Sequence, residues 1–208
     1  MITIVDYKMG NLRSVRNALG FLGYESRVSG NPDEIADSKM LILPGVGSFR
    51  EAMKNIRETG LEEALNEGVL NKKRPILGIC LGMQLLASEG TEDGITKGLN
   101  WIPGTVQKFR FDDPWIRLPH VGFNAVHFKE TGRNLSEGLG ESVDFYFVHS
   151  YHFVCEDKYV TGETDYHQLF VSSVKRNNIC GMQFHPEKSQ CNGLKLLKNF
   201  INTHLNHA

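Results

Sequence analysis

Pro75-Ile76-Leu77-Gly78-Ile79-Cys80-Leu81-Gly82-Met83-Gln84-Leu85-Leu86 is an apolar run interrupted by a cysteine, with glycines close on either side. The segment up to Ile79 has strand length and almost no polar residue, the pattern of a strand buried on both faces. The segment after Cys80 has helix-forming composition. Gly78 and Gly82 allow the chain to turn sharply from strand to helix, which lifts the thiol clear of the backbone. In that geometry the next N–H, that of Leu81, faces a developing oxyanion, so the turn suits acyl transfer.

The same unit recurs in the first 90 residues. Ile2-Thr3-Ile4-Val5 leads through Gly10-Asn11 into a helix with Leu12, Val15, Leu19 and Leu22 near one face. Met40-Leu41-Ile42-Leu43 leads through Pro44-Gly45-Val46-Gly47 into a helix whose start, Ser48-Phe49-Arg50-Glu51, fits a capping box. Apolar strands alternating with helices predict an α/β fold with a central, mostly parallel sheet flanked by helices. Sites in such sheets form at the carboxyl ends of the strands, where Gly10-Asn11, Gly45-Val46-Gly47 and Cys80 fall. Between about residues 100 and 185, strand-like runs occur at Thr105–Phe109, Ala125–Phe128, Phe145–Val148 and Leu169–Val174. Lys175-Arg176-Asn177-Asn178 reads as a hairpin turn before Ile179–Phe184. This half is expected to be a mixed or antiparallel β extension. Leu194–Ile201 has the spacing of a surface amphipathic helix, and His204 and His207 are expected in a frayed tail.

At 208 residues the chain has the size of one domain, 1–208, that can bury a core without disulfides or metals. A formal net charge of −1 and the absence of a long Lys/Arg block argue against a nucleic-acid partner. Met1-Ile2-Thr3-Ile4-Val5 meets Asp6 too soon for a signal peptide, and no run approaches a membrane span, so a cytoplasmic location is expected. Cys80, Cys155, Cys180 and Cys191 form no CxxC pair, which fits a reducing compartment. Cys155, Cys180 and Cys191 read as packing residues. The histidines show no metal-ligand spacing, so neither a metal nor a cofactor is expected.

Far downstream the chain reads Gln183-Phe184-His185-Pro186-Glu187. A neutral thiol is a weak nucleophile and needs a base or a positive field. His185 is the natural base, and Glu187, across the turn imposed by Pro186, is placed to orient the imidazole as the third group of a triad does. Each residue type also has a commoner structural fate, as a buried small hydrophobe, a core histidine or a solvated charge. The two local signatures together favour catalysis. The run Gly45-Val46-Gly47 is either an ordinary strand-to-helix turn or the source of a further oxyanion donor from the backbone at Val46 and Gly47.

Gly78-Ile79-Cys80-Leu81-Gly82-Met83-Gln84 with His185-Pro186-Glu187 resembles the triad-type, class I glutamine amidotransferases over essentially the full length. Asp6–Leu12, Leu43–Gly47, Pro119–Asn124, Tyr146–Tyr151 and Gln183–Gln190 are similar to the glutaminase subunits of imidazole glycerol phosphate synthases. The resemblance implies a flavodoxin-like core and L-glutamine as substrate. Cys80 would form a γ-glutamyl thioester, His185 would protonate the departing ammonia and activate water, and Glu187 would orient His185. Val46, after a peptide rearrangement, would complete the oxyanion hole with Leu81. Gln84 and the backbone of His149, Ser150 and Tyr151 would hold glutamine. Asn11, Phe123, Tyr146 and Lys188 would face a partner, with Tyr146 and Lys188 flanking the ammonia exit. That partner would be a separate cyclase or synthase subunit, which makes imidazole glycerol phosphate and AICAR in histidine biosynthesis, the two forming a heterodimer. The family's motif usually continues Trp-Asn where this chain has Phe123-Asn124, which leaves open a partner that aminates a sugar for surface polysaccharides. A non-catalytic binding subunit is the third reading. The glutaminase readings imply low turnover alone and more on assembly.

Overall fold

Side chains on successive strand residues point to opposite faces, and the first strands distribute their apolar residues accordingly. The structure, a computed structural model, describes residues 1–205. Ile2, Ile4, Met40 and Ile42 enter one apolar core, while Val5, Leu41 and Leu43 enter the other. The first half contains β1 (Ile2–Val5), α1 (Leu12–Phe21), β2 (Ser26–Ser29), α2 (Pro32–Ala36), β3 (Met40–Gly45), α3 (Phe49–Glu58) and α4 (Leu61–Asn66). Then follow β4 (Ile76–Cys80), the short α5 (Leu81–Gln84), β5 (Glu89–Gly90), β6 (Thr96–Lys97) and β7 (Gly104–Lys108). The remainder is β8 (His120–Phe128), β9 (Ser142–His149), β10 (Tyr151–Cys155), β11 (Val160–Asp165), β12 (Leu169–Arg176), β13 (Ile179–Met182) and α6 (Gln190–Leu205).

These strands form one mixed sheet in the order β2-β1-β3-β4-β13-β12-β10-β7-β5-β6, with β11, β8 and β9 branching from β12. Neighbours from β2 through β13 are parallel, and β12 is antiparallel to β13. The expected α/β architecture, parallel centre and mixed extension are all present. Residues of α3, α4 and α5 cover one face, and those of α1 and α6 the other. Among the described residues no helix is long and apolar enough to cross a membrane.

Several details differ from expectation. The strand after the Asn177-Asn178 turn, β13, does not stay in the extension but inserts beside β4 at the centre of the parallel sheet. That placement brings the segment after Met182 to the same sheet end as Cys80. Ser48 is the N-cap of α3 but makes no side-chain cap; the Glu92 carboxylate instead accepts the Phe49 N–H at 2.8 Å. A carboxylate from another loop thus satisfies the orphan donor and complements the helix dipole. In α6, Leu196, Leu197, Phe200 and Ile201 are fully buried. His204 lies in the last turn of that helix with its ring 4.8 Å from Phe200, rather than in a frayed tail; His207 lies outside the described residues.

Close backbone approach at Gly82 holds the cysteine turn against the sheet. A Cβ there would stand 1.7 Å from the Leu43 carbonyl oxygen. Gly82→Ala is therefore expected to cost about 1–3 kcal/mol or more, since backbone must move to relieve the overlap. Chemical denaturation would measure it, and a variant as stable as the parent would contradict the packing described.

Candidate active site

β4 ends at Cys80 with φ 54° and ψ −112°, a region that residues with a Cβ avoid. Such a conformation costs on the order of 1–3 kcal/mol and persists only where the surroundings enforce it. Here β3 and β13 pair along both edges of β4, and Gly45 stands opposite Cys80. α5 starts at the next residue, so the Leu81 N–H belongs to a first helical turn. The thiol is buried, 3.9 Å from the Val148 carbonyl oxygen and 3.7 Å from Gln183 Nε2.

His185 leaves the sheet just after β13 and is placed by backbone contacts as well as by Pro186. Its N–H donates to the Tyr146 carbonyl at 2.9 Å. The Ser189 hydroxyl donates to the His185 carbonyl at 2.6 Å and accepts the Tyr146 N–H at 2.9 Å. Nδ1 of His185 lies 2.8 Å from Glu187 Oε1, with both side chains almost wholly buried. Nε2 is buried and makes no hydrogen bond of ordinary geometry among the described residues. Burial alone would lower the ring's pKa, but the Cys80 sulfur and the Glu187 carboxylate outweigh it and hold the value up at about 10. The imidazolium is therefore the favoured form at neutral pH, between a sulfur and a carboxylate.

Cys80 opens on a cavity of about 480 Å³ whose walls include Val46, Gly47, Leu81, Gln84, His149, Ser150 and Tyr151. Every residue expected around a bound glutamine thus meets at one concavity. Gln84 is not free in it, because Nε2 donates to the Tyr151 carbonyl at 3.0 Å and to Gln183 Oε1 at 2.9 Å. Its two amide hydrogens are used, and only Oε1 is left for a ligand. The Val46 N–H donates to the Met9 carbonyl at 3.3 Å and so is already engaged. Gly47, at φ 104°, lies in a region natural only to glycine, which lets the turn adopt more than one peptide orientation. Burial, with a contribution from Cys80, raises the Tyr7 pKa; that hydroxyl packs against Gly45 without a hydrogen-bond partner among the described residues.

Of the residues expected to face a partner, Phe123, Tyr146 and Lys188 form a second group outside the cavity. Phe123 is 52% exposed, and its ring centroid is 5.7 Å from that of Tyr146. Lys188 Nζ lies 5.7 Å from the Tyr146 ring, and the Tyr146 ring lies 6.4 Å from that of His185. Asn11 is the N-cap residue of α1 and makes no side-chain cap. Burial raises the Cys155 thiol to about 11 and the Cys180 thiol to about 12, so both are inert at neutral pH.

Glu92, Pro119 and Val148 also line the cavity, and Gln183 touches the sulfur. None was singled out from the sequence. Glu92 sits in a turn-rich loop, where an acid carries no positional signal until α3 is seen to start above it. Gln183, adjoining the His-Pro-Glu run, was the most accessible of them to a sequence reading.

A family model described as glutamine amidotransferase class-I matches residues 3–203. The chain is 47% identical over 201 residues to imidazole glycerol phosphate synthase subunit HisH 1 of Campylobacter jejuni (strain RM1221), covering 97% of this chain and 99% of that one. It is 48% identical over 200 residues to subunit HisH of Moorella thermoacetica, covering 96% and 93%. A crystal structure described as a glutamine amidotransferase is similar in fold, with a TM-score of 0.75 at 21% identity over 98% of this chain and 99% of that one. So is the structure of PurLQS from Thermotoga maritima, with a TM-score of 0.72 at 19% identity over 97% of each chain.

The His185 geometry has a measurable pH signature. Its ordinary value is 6.5 and its value here about 10, so its stabilising contribution is complete below 6.5 and lost as pH rises through about 10. Glu187→Gln removes one of the two groups that favour the imidazolium. The ring's titration, followed by NMR, should move down, and the stability loss should be smaller and be complete at a lower pH. An unmoved titration would mean that the carboxylate does not act on the ring.

Proposed function

The chain belongs to the class-I glutamine amidotransferase family, and on that premise we propose that it is the glutaminase subunit of an imidazole glycerol phosphate synthase of histidine biosynthesis. The observation that carries the chemistry is the Cys80 sulfur, held at a strained turn beside the buried His185–Glu187 pair and open to a cavity of about 480 Å³. In this reading the whole chain is one amidotransferase domain.

Cys80 attacks the side-chain amide carbon of glutamine. The C–N bond breaks as His185 gives its proton to the departing ammonia, leaving a γ-glutamyl thioester. Water then attacks the thioester, with His185 taking its proton, and glutamate leaves with Cys80 restored. Glu187 keeps the ring oriented throughout through its bond to Nδ1. Oε1 of Gln84 suits the α-ammonium of glutamine as an acceptor, and the negative charge of Glu92 on the same wall favours that group. The segment His149-Ser150-Tyr151, where β9 passes into β10, supplies backbone groups for the rest of the substrate. Leu81 N–H stabilises the oxyanion, and Val46 N–H joins it only after leaving the Met9 carbonyl. In the state described, the oxyanion hole thus has one of its two donors, and turnover in the isolated chain is low.

Ammonia in water would protonate and diffuse away, so the product needs a docked acceptor. We assign docking to a synthase subunit, in a cytoplasmic heterodimer, to the face carrying Asn11, Phe123, Tyr146 and Lys188. The adjoining rings of His185, Tyr146 and Phe123 lead outward from the sulfur. Phe123 supports a second acceptor as well: a phenyl ring offers no indole N–H to a partner, so a sugar-aminating synthase fits the same glutaminase. Rescue of a histidine auxotroph lacking its own subunit is the outcome expected here; failure, with copurification of a sugar-modifying synthase, would favour the alternative.

Cys80→Ala is expected to lower glutamine-dependent synthesis by about 10³-fold or more while leaving ammonia-dependent synthesis by the complex intact. Glutamine-dependent activity that survives the substitution would end the thioester mechanism. Addition of the synthase should raise glutaminase turnover, and full turnover in the isolated chain would refute the role given to Val46.

A further inference from the structure

Asn124, His120, His149, Tyr151, Gln84 and Gln183 form a continuous series of hydrogen bonds that ends at the Cys80 sulfur. The donor and acceptor at each step follow from both ends independently. At the outer end, Asn124 Oδ1 accepts the Ala125 N–H at 2.8 Å and Nδ2 donates to the Asp165 carbonyl at 2.8 Å, which settles the orientation of the carboxamide. Nδ2 also faces His120 Nε2 at 3.3 Å, so that nitrogen carries a lone pair. A neutral His120 then holds its proton on Nδ1, which lies 3.1 Å from His149 Nε2. His149 Nε2 is the acceptor, and its Nδ1–H donates to the Tyr151 carbonyl at 2.8 Å. At the inner end a carbonyl can only accept, which forces the proton onto His149 Nδ1 and leads back to the same assignment. The Tyr151 carbonyl also accepts Gln84 Nε2 at 3.0 Å; that nitrogen reaches Gln183 Oε1 at 2.9 Å, and Gln183 Nε2 reaches Cys80 Sγ at 3.7 Å.

We propose that His120 and His149 are positioning residues for glutamine hydrolysis, each held as its Nδ1–H tautomer, that lock the Tyr151 carbonyl and Gln84 into the wall of the glutamine cavity and, through Gln183, steady the sulfur. The proposal rests on the glutaminase reading of that cavity. Both rings are buried, His120 at 3% exposure and His149 at 6%. A second proton on either would set N–H against N–H within the series. Burial lowers His120 to about 4 and His149 to about 3, the latter also facing His120, His152 and His185. The rings are therefore neutral at pH 7. His120 is stacked between Tyr166, at 4.0 Å, and Phe147, at 4.9 Å, so it cannot turn to another partner without unpacking both. Asn124, at the outer end of the series, follows Phe123 along β8.

The test uses the full chain, alone and with its synthase. Imidazole ¹⁵N–¹H correlation at pH 7 is expected to report Nδ1–H on both His120 and His149, and Nε2–H on either overturns the proposal without reference to activity. His149→Leu leaves the Tyr151 carbonyl with one donor fewer, and the KM for glutamine should rise about five- to 100-fold with a smaller change in kcat. His149→Asn, whose amide donates from a similar position, should recover most of that loss, which a purely space-filling role would not give. Asn124→Leu, at the half-exposed end and tolerable to the fold, should change the His120 tautomer signal and raise KM in the same direction. It carries the test if His149→Leu does not fold. Unchanged KM in folded His149→Leu or Asn124→Leu would overturn the positioning role. A wild-type complex that hydrolyses no glutamine at all would instead sink the glutaminase reading, and the tautomer result would stand apart from it.

Discussion

A cysteine does not adopt φ 54° unaided, and the rest of the site depends on the packing that makes Cys80 do so. β3 and β13 clamp β4 on both edges, and Gly82 rests directly on the Leu43 carbonyl, where any side chain would collide. The strain is therefore borne by the centre of the sheet, the least deformable part of the molecule. Its result is a sulfur at the head of a helix whose first N–H groups are unpaired. Were β4 an edge strand, the same residues would relax, and the thiol would turn back toward the backbone.

That clamp also explains why the catalytic partners arrive where they do. β13 is the neighbour that completes it, and the residues that follow β13 are Gln183, Phe184, His185, Pro186 and Glu187. One strand thus serves both as the wall that enforces the turn and as the arm that delivers the imidazole. Ser189 ties the arm to β9, so His185 is held by backbone contacts on two sides before Glu187 acts on the ring. Charge is concentrated at this point: a buried carboxylate and a buried imidazolium face each other, and such a pair is costly unless it is closely matched. Beside it runs a neutral series of imidazoles and amides, where burial works in the opposite direction and removes protons. Two histidine environments near the same sulfur are thereby driven to opposite protonation states, one by an adjoining sulfur and carboxylate and the other by burial.

The fold was legible wherever burial writes a simple pattern. β1, β3 and β4 are near-continuous apolar runs because both of their faces are covered, and their alternation with helices gave the expectation of a parallel centre. β2 was missed because Ser26-Arg27-Val28-Ser29 lies at an edge, where polar residues are tolerated. β10 does not stand out in the sequence because only Ser150 separates it from β9, with no glycine or proline to mark a new strand. The Ser48 capping box failed for a different reason: the Ser48 side chain caps nothing, and the start of α3 is met instead at the Phe49 N–H by Glu92, more than forty residues away.

Cys80, His185 and Glu187 could be named from the sequence because each sits in a local context whose backbone needs are visible in it: glycines around a turn, a proline between acid and base. Even the low activity expected of the chain alone has a sequence counterpart in Gly45-Val46-Gly47, although the tie of the Val46 N–H to Met9 belongs to the fold. The chemistry on offer is written in the chain, since residue type and local turn propensity are properties of neighbours along it. Protonation and pairing come from the fold: which nitrogen of His149 carries the proton, why His185 is charged, what Gln84 has left to offer a substrate. Those depend on burial and on distances between atoms remote in sequence, such as Gln84 and Gln183 or His120 and His149, and no local pattern encodes them.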